Sequence, residues 1–184
     1  MREIIGQIIG YIAMAVAILS FQAKRQKTFA SIQFAVTTLF CTSFLLVGAT
    51  TGAMLNFLGA VRALIYYNKQ KLHADRPVWL IAFVLCYMTT GVLTFTVFGT
   101  PLTIVNVLLQ MLPIIGMTAS HLALYINSDK AVRRFSLISS PVWLIYNLSC
   151  QAWGAVGCEA ISLVSIGIGI YRHDINRKPK KTAK

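Results

Sequence analysis

The chain has 184 residues, of which 57% are hydrophobic and only 12% are charged, and this composition excludes an ordinary soluble domain. The formal net charge of +12 would suit a nucleic-acid-binding protein, but the basic residues lie in a few connections between long apolar stretches, which excludes that class. The sequence therefore predicts an all-α protein that crosses a membrane several times.

Seven apolar stretches come close to the length of about 20 residues that a membrane-spanning helix needs. In chain order they are residues 4–22, 29–47, 53–68, 78–97, 102–125, 135–150 and 155–171. The third, sixth and seventh are short, which indicates little tilt or local thinning of the bilayer. No cleavage site of small residues follows the first stretch, so we expect a helix there rather than a signal peptide.

Lysine and arginine residues alternate between the connections of these predicted spans. The first, third and fifth connections and the end of the chain are basic, whereas the second, fourth and sixth contain no lysine or arginine. Basic connections remain on the cytoplasmic side of a membrane. The pattern predicts seven spans, with the N-terminus outside and the C-terminus in the cytoplasm.

The chain also matches itself. Residues 8–48 align with 114–154 without a gap, and 52–66 align with 157–171 after one residue is dropped. Each copy holds three predicted helices, and the unmatched fourth helix adds the crossing that returns the second copy to the orientation of the first. We therefore predict two parallel triple-helix bundles joined by an inversion helix. The predicted divisions are 1–71 for the first bundle, 72–100 for the linker with the inversion helix, 101–173 for the second bundle and 174–184 for a basic cytoplasmic tail.

Three short segments carry a resemblance to a known family: SFLLVG at 43–48, AVRALI at 60–65, and Glu159 near the start of the last predicted span. With them the chain, over about 6–173, resembles the YgjV-type bacterial inner membrane proteins, within the broader clan of SWEET sugar transporters and PQ-loop proteins. The resemblance implies the three-plus-one-plus-three architecture. It also implies transport by alternating access around a site near the middle of the membrane.

The chain departs from the SWEET pattern at its prolines and at its substrate-binding positions. Proline hinges are implied in both repeats, but only Pro113 and Pro141 of the second repeat are present. The resemblance implies substrate-binding asparagines on the third and seventh helices. Asn56 matches on the third, whereas the seventh has Glu159 and Ser162 instead, so the resemblance does not carry sugar specificity over to this chain.

Arg62 and Glu159 are the only charged residues inside the predicted spans. A charge in the middle of a bilayer costs about 2.5–3.5 kcal/mol on insertion scales, so each needs a partner, water or a ligand. In one interpretation Arg62 clamps an anionic or hydroxyl-rich substrate and Glu159 lines the outer vestibule or exchanges protons. In the other, Arg62 joins helices through backbone carbonyls and Glu159 caps the last helix.

Neutral polar residues complete the candidate binding site. Asn147 lies one helical turn after Trp143, so an amide and an aromatic ring share one face of the sixth helix and would suit a ring-shaped ligand. A packing or interfacial role for Trp143 remains an equal alternative. No motif for a metal or a cofactor is present in the sequence, and none is expected.

Three hypotheses for the function follow. The first is a small-solute transporter, with membrane lipid and a small molecule of unknown class as partners, acting as a monomer or a homodimer. The second is a receptor or scaffold that binds a protein or lipid partner. The third, an intramembrane enzyme, is disfavoured because the spans contain neither a metal-binding nor a serine-hydrolase motif.

Overall fold

The computed structural model describes residues 1–20, 25–126 and 128–172. Within those residues the chain forms eight α-helices and no β-strand. The helices are α1 (Arg2–Ser20), α2 (Gln26–Val47), α3 (Thr50–Tyr67), α4 (Lys69–Leu72), α5 (Pro77–Thr96), α6 (Ile104–Ile126), α7 (Asp129–Ser149) and α8 (Trp153–Ile170). The predicted all-helical class is confirmed.

Each predicted span falls on one of the seven long helices. Five of them, α1, α2, α5, α6 and α8, are long and apolar enough to cross a membrane. For α3, which carries Arg62, and for α7, which begins with charged residues, crossing stays a prediction. The predicted tail at 174–184 lies outside the described residues.

Two local features were not predicted. The short helix α4 lies within the predicted first bundle and linker. Helix α7 begins at Asp129 rather than at residue 135, because the side chain of Ser128 accepts a hydrogen bond from the backbone N–H of Ala131. Such an N-cap starts a helix even where the following residues are charged.

The outer surface of the helices is apolar. Many large hydrophobic side chains are exposed, and they lie on all eight helices; examples are Ile4, Ile8, Val78, Leu85, Val92, Ile104, Leu108 and Val164. An exposed apolar surface of this kind is typical of a protein whose solvent is lipid. The surface therefore agrees with the span predictions.

The main helix contacts form a closed ring. Along the chain, α1 packs on α2 and α2 on α3, and in the second half α6 packs on α7 and α7 on α8. The halves meet where α1 packs on α8 and where α3 packs on α6. Helix α5 lies against both α3 and α6, so it covers the second of these junctions.

A stripe of small residues allows α1 to approach its neighbours closely. Its buried residues are Gly6, Gly10, Ala13, Ala17 and Ser20. A Cβ built on Gly154 of α8 would clash with the carbonyl carbon of Gly10 and lie 2.5 Å from its oxygen. Backbone contacts of this kind hold membrane helices together through van der Waals packing.

The side chain of Gln7 joins α1 to the connection between α7 and α8. Its amide nitrogen donates to the carbonyl oxygen of Gln151 at 2.7 Å, and its amide oxygen accepts from the backbone N–H of Trp153 at 3.1 Å. These bonds satisfy backbone groups at the end of one helix and the start of the next. The first and last long helices are therefore joined by hydrogen bonds as well as by packing.

Three helix boundaries of the first half recur in the second half at a distance of 103 residues. Adding 103 to the first and last residue numbers of α3 gives those of α8. Adding 103 to the first residue number of α2 gives that of α7. The residues before α3 and α8, Ala49 and Ala152, have nearly the same backbone angles, with φ of −86° and −85° and ψ of 73° and 75°. The sequence alignment used 106 and 105 residues, so the structural correspondence differs from it by three residues in α2 and α7 and by two in α3 and α8.

The close approach of α1 and α8 yields a prediction about stability. In Gly154→Ala the added Cβ meets backbone rather than a flexible side chain, so the two helices must separate. We expect the free energy of unfolding to fall by about 1–3 kcal/mol. The measurement is the unfolding midpoint of detergent-purified protein.

Gly167→Ala is the matched control, because it lies in the same helix and its Cβ would meet nothing within 4 Å. We expect this variant to unfold at or above the wild-type midpoint, since alanine favours the helix. Equal midpoints for the two variants would contradict the contact between Gly10 and Gly154.

Candidate functional site

The predicted site residues lie in separate places in the structure. Arg62 belongs to a polar cluster between α3, α5 and α6, Glu159 contacts α7, and Trp143 and Asn147 lie in the centre of the molecule. The structure therefore does not gather all the predicted ligands around one cavity. Each place is described in turn.

Arg62 lies in the last two turns of α3 and is half-buried. Its Nη1 atom is 3.4 Å from the hydroxyl oxygen of Tyr87 on α5, a long hydrogen bond. Tyr87 itself is completely buried. Within the described residues, Arg62 has no other hydrogen bond and no ion pair, so the interpretation in which it joins helices through backbone carbonyls is wrong.

Three aromatic rings surround His121 of α6 beside this arginine. The distance from the centroid of the imidazole ring is 5.1 Å to the ring centroid of Phe83, 6.0 Å to that of Tyr66 and 6.3 Å to that of Tyr87. All three contacts are edge-on. His121 is completely buried. We call Arg62, Tyr66, Tyr87 and His121 the Arg62 cluster.

Most polar atoms of the Arg62 cluster lack a partner. In the described part of the chain, neither ring nitrogen of His121 forms a hydrogen bond, and the buried hydroxyl of Tyr66 forms none. Burying a polar group without a hydrogen bond costs about 1–3 kcal/mol on the basis of protein mutations. A concentration of such groups next to a charge is unusual in a core that serves only packing.

Glu159 is held by a different helix. It is half-buried on α8, and the side chain of Ser140 on α7 lies near its carboxylate. Glu159 lies beyond the first turn of α8, so the interpretation in which it caps that helix is wrong. No ion pair joins it to Arg62 among the described residues, and the two charges have different neighbours.

Asn56 bonds within its own helix. Its amide nitrogen donates to the carbonyl oxygen of Gly52 at 2.9 Å, one turn earlier in α3. Asn56 and Glu159 each lie six residues after the first residue of their helix, α3 and α8 respectively. They therefore occupy corresponding places, whereas the sequence alignment matched Glu159 with Met54.

Trp143 and Asn147 lie among packed aromatic rings. Trp143 is 7% exposed. Its ring centroid lies 6.3 Å from that of Phe44 on α2 and 5.8 Å from that of Tyr146. We call Phe40, Phe44, Trp143 and Tyr146 the central aromatic cluster. Asn147 is buried beside it, and its side-chain oxygen has no partner in the described residues. In this conformation the ring of Trp143 is a packing surface.

Buried hydroxyl groups connect the central aromatic cluster with α3 and α5. The hydroxyl of Tyr146 accepts a hydrogen bond from the backbone N–H of Gly52 at 2.8 Å. The hydroxyls of Thr51 and Thr94 lie 2.6 Å apart. These bonds join α7 to α3 and α3 to α5 at the ends opposite to the Arg62 cluster, where the side-chain oxygen of Asn147 is left without a partner in the described residues.

Pro113 and Pro141 lie inside α6 and α7, and Pro113 is fully buried. Each proline removes one backbone hydrogen bond from its helix. Near them, the hydroxyl of Ser139 donates to the carbonyl oxygen of Gly116 at 3.0 Å, which joins α7 to α6. The hinge role of the two prolines stays a prediction.

An apolar groove of about 480 Å³ opens between α2, α3 and α5. Its walls include Leu45, Phe57, Leu58 and Leu93, and no charged residue lines it. A binding site for a polar solute needs a few convergent polar groups. The groove therefore lacks the charged groups that a polar solute would need, and the Arg62 cluster is the stronger candidate site.

Sequence reasoning identified Arg62 but missed its partners. Tyr66 lies four residues after Arg62, so its place on the same face of α3 could have been inferred from helical spacing. Tyr87 lies on the unmatched helix α5, and only the packing of α5 on α3 brings it to Arg62. The described residues contain no group of three or more histidine, cysteine or acidic residues that could hold a metal.

The chain was compared with known proteins. A family model described as a bacterial inner membrane protein, Imp-YgjV, matches residues 4–177, which is nearly the whole chain. No curated protein and no solved structure matches. The comparisons therefore identify the family and its location in the bacterial inner membrane, but they assign no ligand or reaction to it.

The hydrogen bond of Tyr146 yields a prediction about stability. Tyr146→Phe leaves the buried N–H of Gly52 without its partner, so we expect the free energy of unfolding to fall by about 1–3 kcal/mol. Tyr11→Phe is the control, because Tyr11 is half exposed and its hydroxyl forms no hydrogen bond in the described residues. The unfolding midpoint in detergent measures both. A loss that is equal in the two variants would contradict a role for this bond.

Proposed function

The chain belongs to the Imp-YgjV family of bacterial inner membrane proteins, and from that premise we propose that it carries a small solute across the membrane. In this proposal two three-helix bundles, α1–α3 and α6–α8, rock about a site between them. Helix α5 is the inversion helix that joins the bundles. All seven long helices, including α3 and α7, then cross the membrane.

The correspondence between the two halves supports this arrangement. Helices α2 and α3 recur as α7 and α8 at 103 residues, and corresponding residues share burial: Val36 and Ser139, Phe40 and Trp143, Ser43 and Tyr146, Phe44 and Asn147. The contact of α1 with α8 has its counterpart in that of α6 with α3. Two parallel repeats related by an axis along the membrane normal would produce this pairing.

The proposed membership of the SWEET and PQ-loop clan rests on the same correspondence. In the resemblance, asparagines on the third and seventh helices bind substrate. Asn56 and Glu159 occupy corresponding places on α3 and α8, so the second position carries an acid in this chain. A solute other than a sugar would account for that difference.

The observation that carries the proposal is the incomplete bonding of the Arg62 cluster. A guanidinium on a helix of the membrane interior costs about 2.5–3.5 kcal/mol, and its only described partner is the distant hydroxyl of Tyr87. The cluster lies where α3 of the first bundle meets α6 of the second, beside α5. Relative motion of the bundles would open or close this junction, as alternating access requires.

We propose the topology in which the N-terminus is outside and the C-terminus is in the cytoplasm, because the basic residues alternate between connections. A fluorescent protein fused after Lys184 is then expected to fluoresce. Alkaline phosphatase inserted at Gly99 is expected to be active, since it would fold outside the membrane. Active phosphatase after Lys184 would overturn the orientation.

Transport is tested with purified protein in liposomes. We expect uptake of at least one compound from a panel of labelled sugars, nucleosides, vitamins and organic acids. Arg62→Ala should reduce that uptake at least 10-fold, because the proposed clamp is removed, while size-exclusion chromatography confirms a folded protein. Arg134→Ala is the matched control, since Arg134 is an exposed arginine near the start of α7.

Unchanged uptake in folded Arg62→Ala would contradict the assignment of this residue. Absence of uptake of every compound by folded wild-type protein would contradict transport. The alternative, a membrane receptor or scaffold, would then be tested by charge reversal at Lys130, Arg133 and Arg134 with co-purification of partners.

A further inference from the structure

We infer that the Arg62 cluster binds the carboxylate group of a small organic monoanion. The inference deepens the proposed function by naming the class of solute, and it rests on that function for the transport step only. Binding of the anion is a property of the cluster itself and is tested separately.

The charge balance of the cluster indicates an anion. Arg62 is its only charged group, and no acid of the described residues forms an ion pair with it. Asp75 acts electrostatically on Tyr66, but Asp75 is exposed to solvent. Glu159 lies near Ser140 of α7 and forms no ion pair with Arg62 among the described residues. A half-buried positive charge without a protein counterion in the described residues is best satisfied by a ligand with one negative charge.

The donors of the cluster indicate an oxygen anion with two acceptor atoms. A guanidinium has five N–H donors in a planar fork that matches a carboxylate, and the single long bond to Tyr87 leaves most of them unused. The hydroxyls of Tyr66 and Tyr87 and one N–H of a neutral His121 are further donors. Of these groups, the hydroxyl of Tyr66 and both ring nitrogens of His121 are unpartnered in the described chain although their residues are at least nine-tenths buried.

The walls of the cluster indicate the rest of the ligand. Phe83 packs edge-on against His121 and lies 6.0 Å from the ring of Tyr87, so the surface beside the donors is aromatic. The cluster has one cation, Arg62, among aromatic rings, so the complementary ligand has one negative charge and an apolar remainder. Inorganic phosphate carries more charge and no apolar part, and it would need further cations. The inference therefore commits to a monocarboxylate.

Half-burial of Arg62 provides the approach to the cluster. Tyr66, Tyr87 and His121 are buried, whereas Arg62 remains partly exposed. The anion would meet the guanidinium first, and separation of the ring edges would then bring it to the other donors. Arg62, Tyr66 and His121 have distinct roles in this scheme: the first supplies the charge and the other two complete the coordination of the oxygens.

The test is isothermal titration calorimetry and thermal unfolding of the full-length protein in detergent at constant ionic strength. The probes are sodium benzoate and sodium propionate, compared with benzamide, propionamide and inorganic phosphate. We expect the two carboxylates to bind, to increase the free energy of unfolding by RT ln(1 + [L]/Kd) and so to raise the unfolding midpoint. We expect the neutral amides to have no effect. Binding of an amide as tightly as its carboxylate, stronger binding of phosphate, or no binding of either carboxylate would each overturn the inference.

Variants locate the bound anion. We expect Arg62→Gln to weaken benzoate binding about 10- to 100-fold and Tyr66→Phe about 3- to 10-fold, because a charged and a neutral hydrogen bond are lost respectively. Arg134→Gln, a change of an exposed arginine, should leave the affinity unchanged. If Arg62→Gln does not fold, Arg62→Lys keeps the charge but loses the planar fork, and it should weaken binding as well. Unchanged affinity in folded Arg62 and Tyr66 variants would overturn the site.

Uptake into liposomes separates this inference from the proposed function. Binding of benzoate or propionate at Arg62 by a protein that takes up neither these two probes nor any compound of the panel would support the anion site and contradict transport. Uptake of a neutral solute by a protein that binds no carboxylate would support transport and overturn the anion site.

Discussion

The backbone contact between Gly10 and Gly154 is the constraint on which the rest of the structure depends. It brings α8 against α1, and with the contact of α3 on α6 it closes the long helices into a ring. Lipid offers helices no hydrophobic force toward each other, so association relies on close packing and hydrogen bonds. The small residues of α1 and the two bonds of Gln7 supply both.

The closed ring has two kinds of interior. Near the connection that precedes α3, the central aromatic cluster and the bonded hydroxyls of Thr51, Thr94 and Tyr146 form a largely satisfied core, in which the side-chain oxygen of Asn147 has no partner in the described residues. Further along α3, the Arg62 cluster combines a charge with unpartnered polar atoms. A satisfied core favours one packing, whereas unsatisfied groups favour a second state or a ligand that completes them. The two ends of the ring therefore differ: hydrogen bonds join helices at one end, and the other is the candidate binding site.

The register of the two halves illustrates what apolar sequences leave open. The sequence alignment matched α2 with α7 at 106 residues, but the helix boundaries and the burial of Phe40 and Trp143 correspond at 103. Three residues are nearly one turn of an α-helix, so a shift of that size keeps apolar residues on almost the same face. Identities among leucine, isoleucine, valine and glycine cannot distinguish the two registers. Helix boundaries and buried positions do distinguish the two registers. In the register of 103 residues, Asn56 of α3 corresponds to Glu159 of α8.

The sequence by itself determined the helical class, the approximate limits of the long helices and the presence of Arg62 and Glu159 within them, because hydrophobic length and isolated charges are local properties. It did not determine which residues surround those charges. Tyr87 reaches Arg62 only through the packing of α5 on α3, and Ser140 reaches Glu159 only through that of α7 on α8. Such neighbours come from distant parts of the chain, and no spacing along one helix encodes them. Tertiary structure alone decided that Arg62 faces His121 and two tyrosines rather than Glu159.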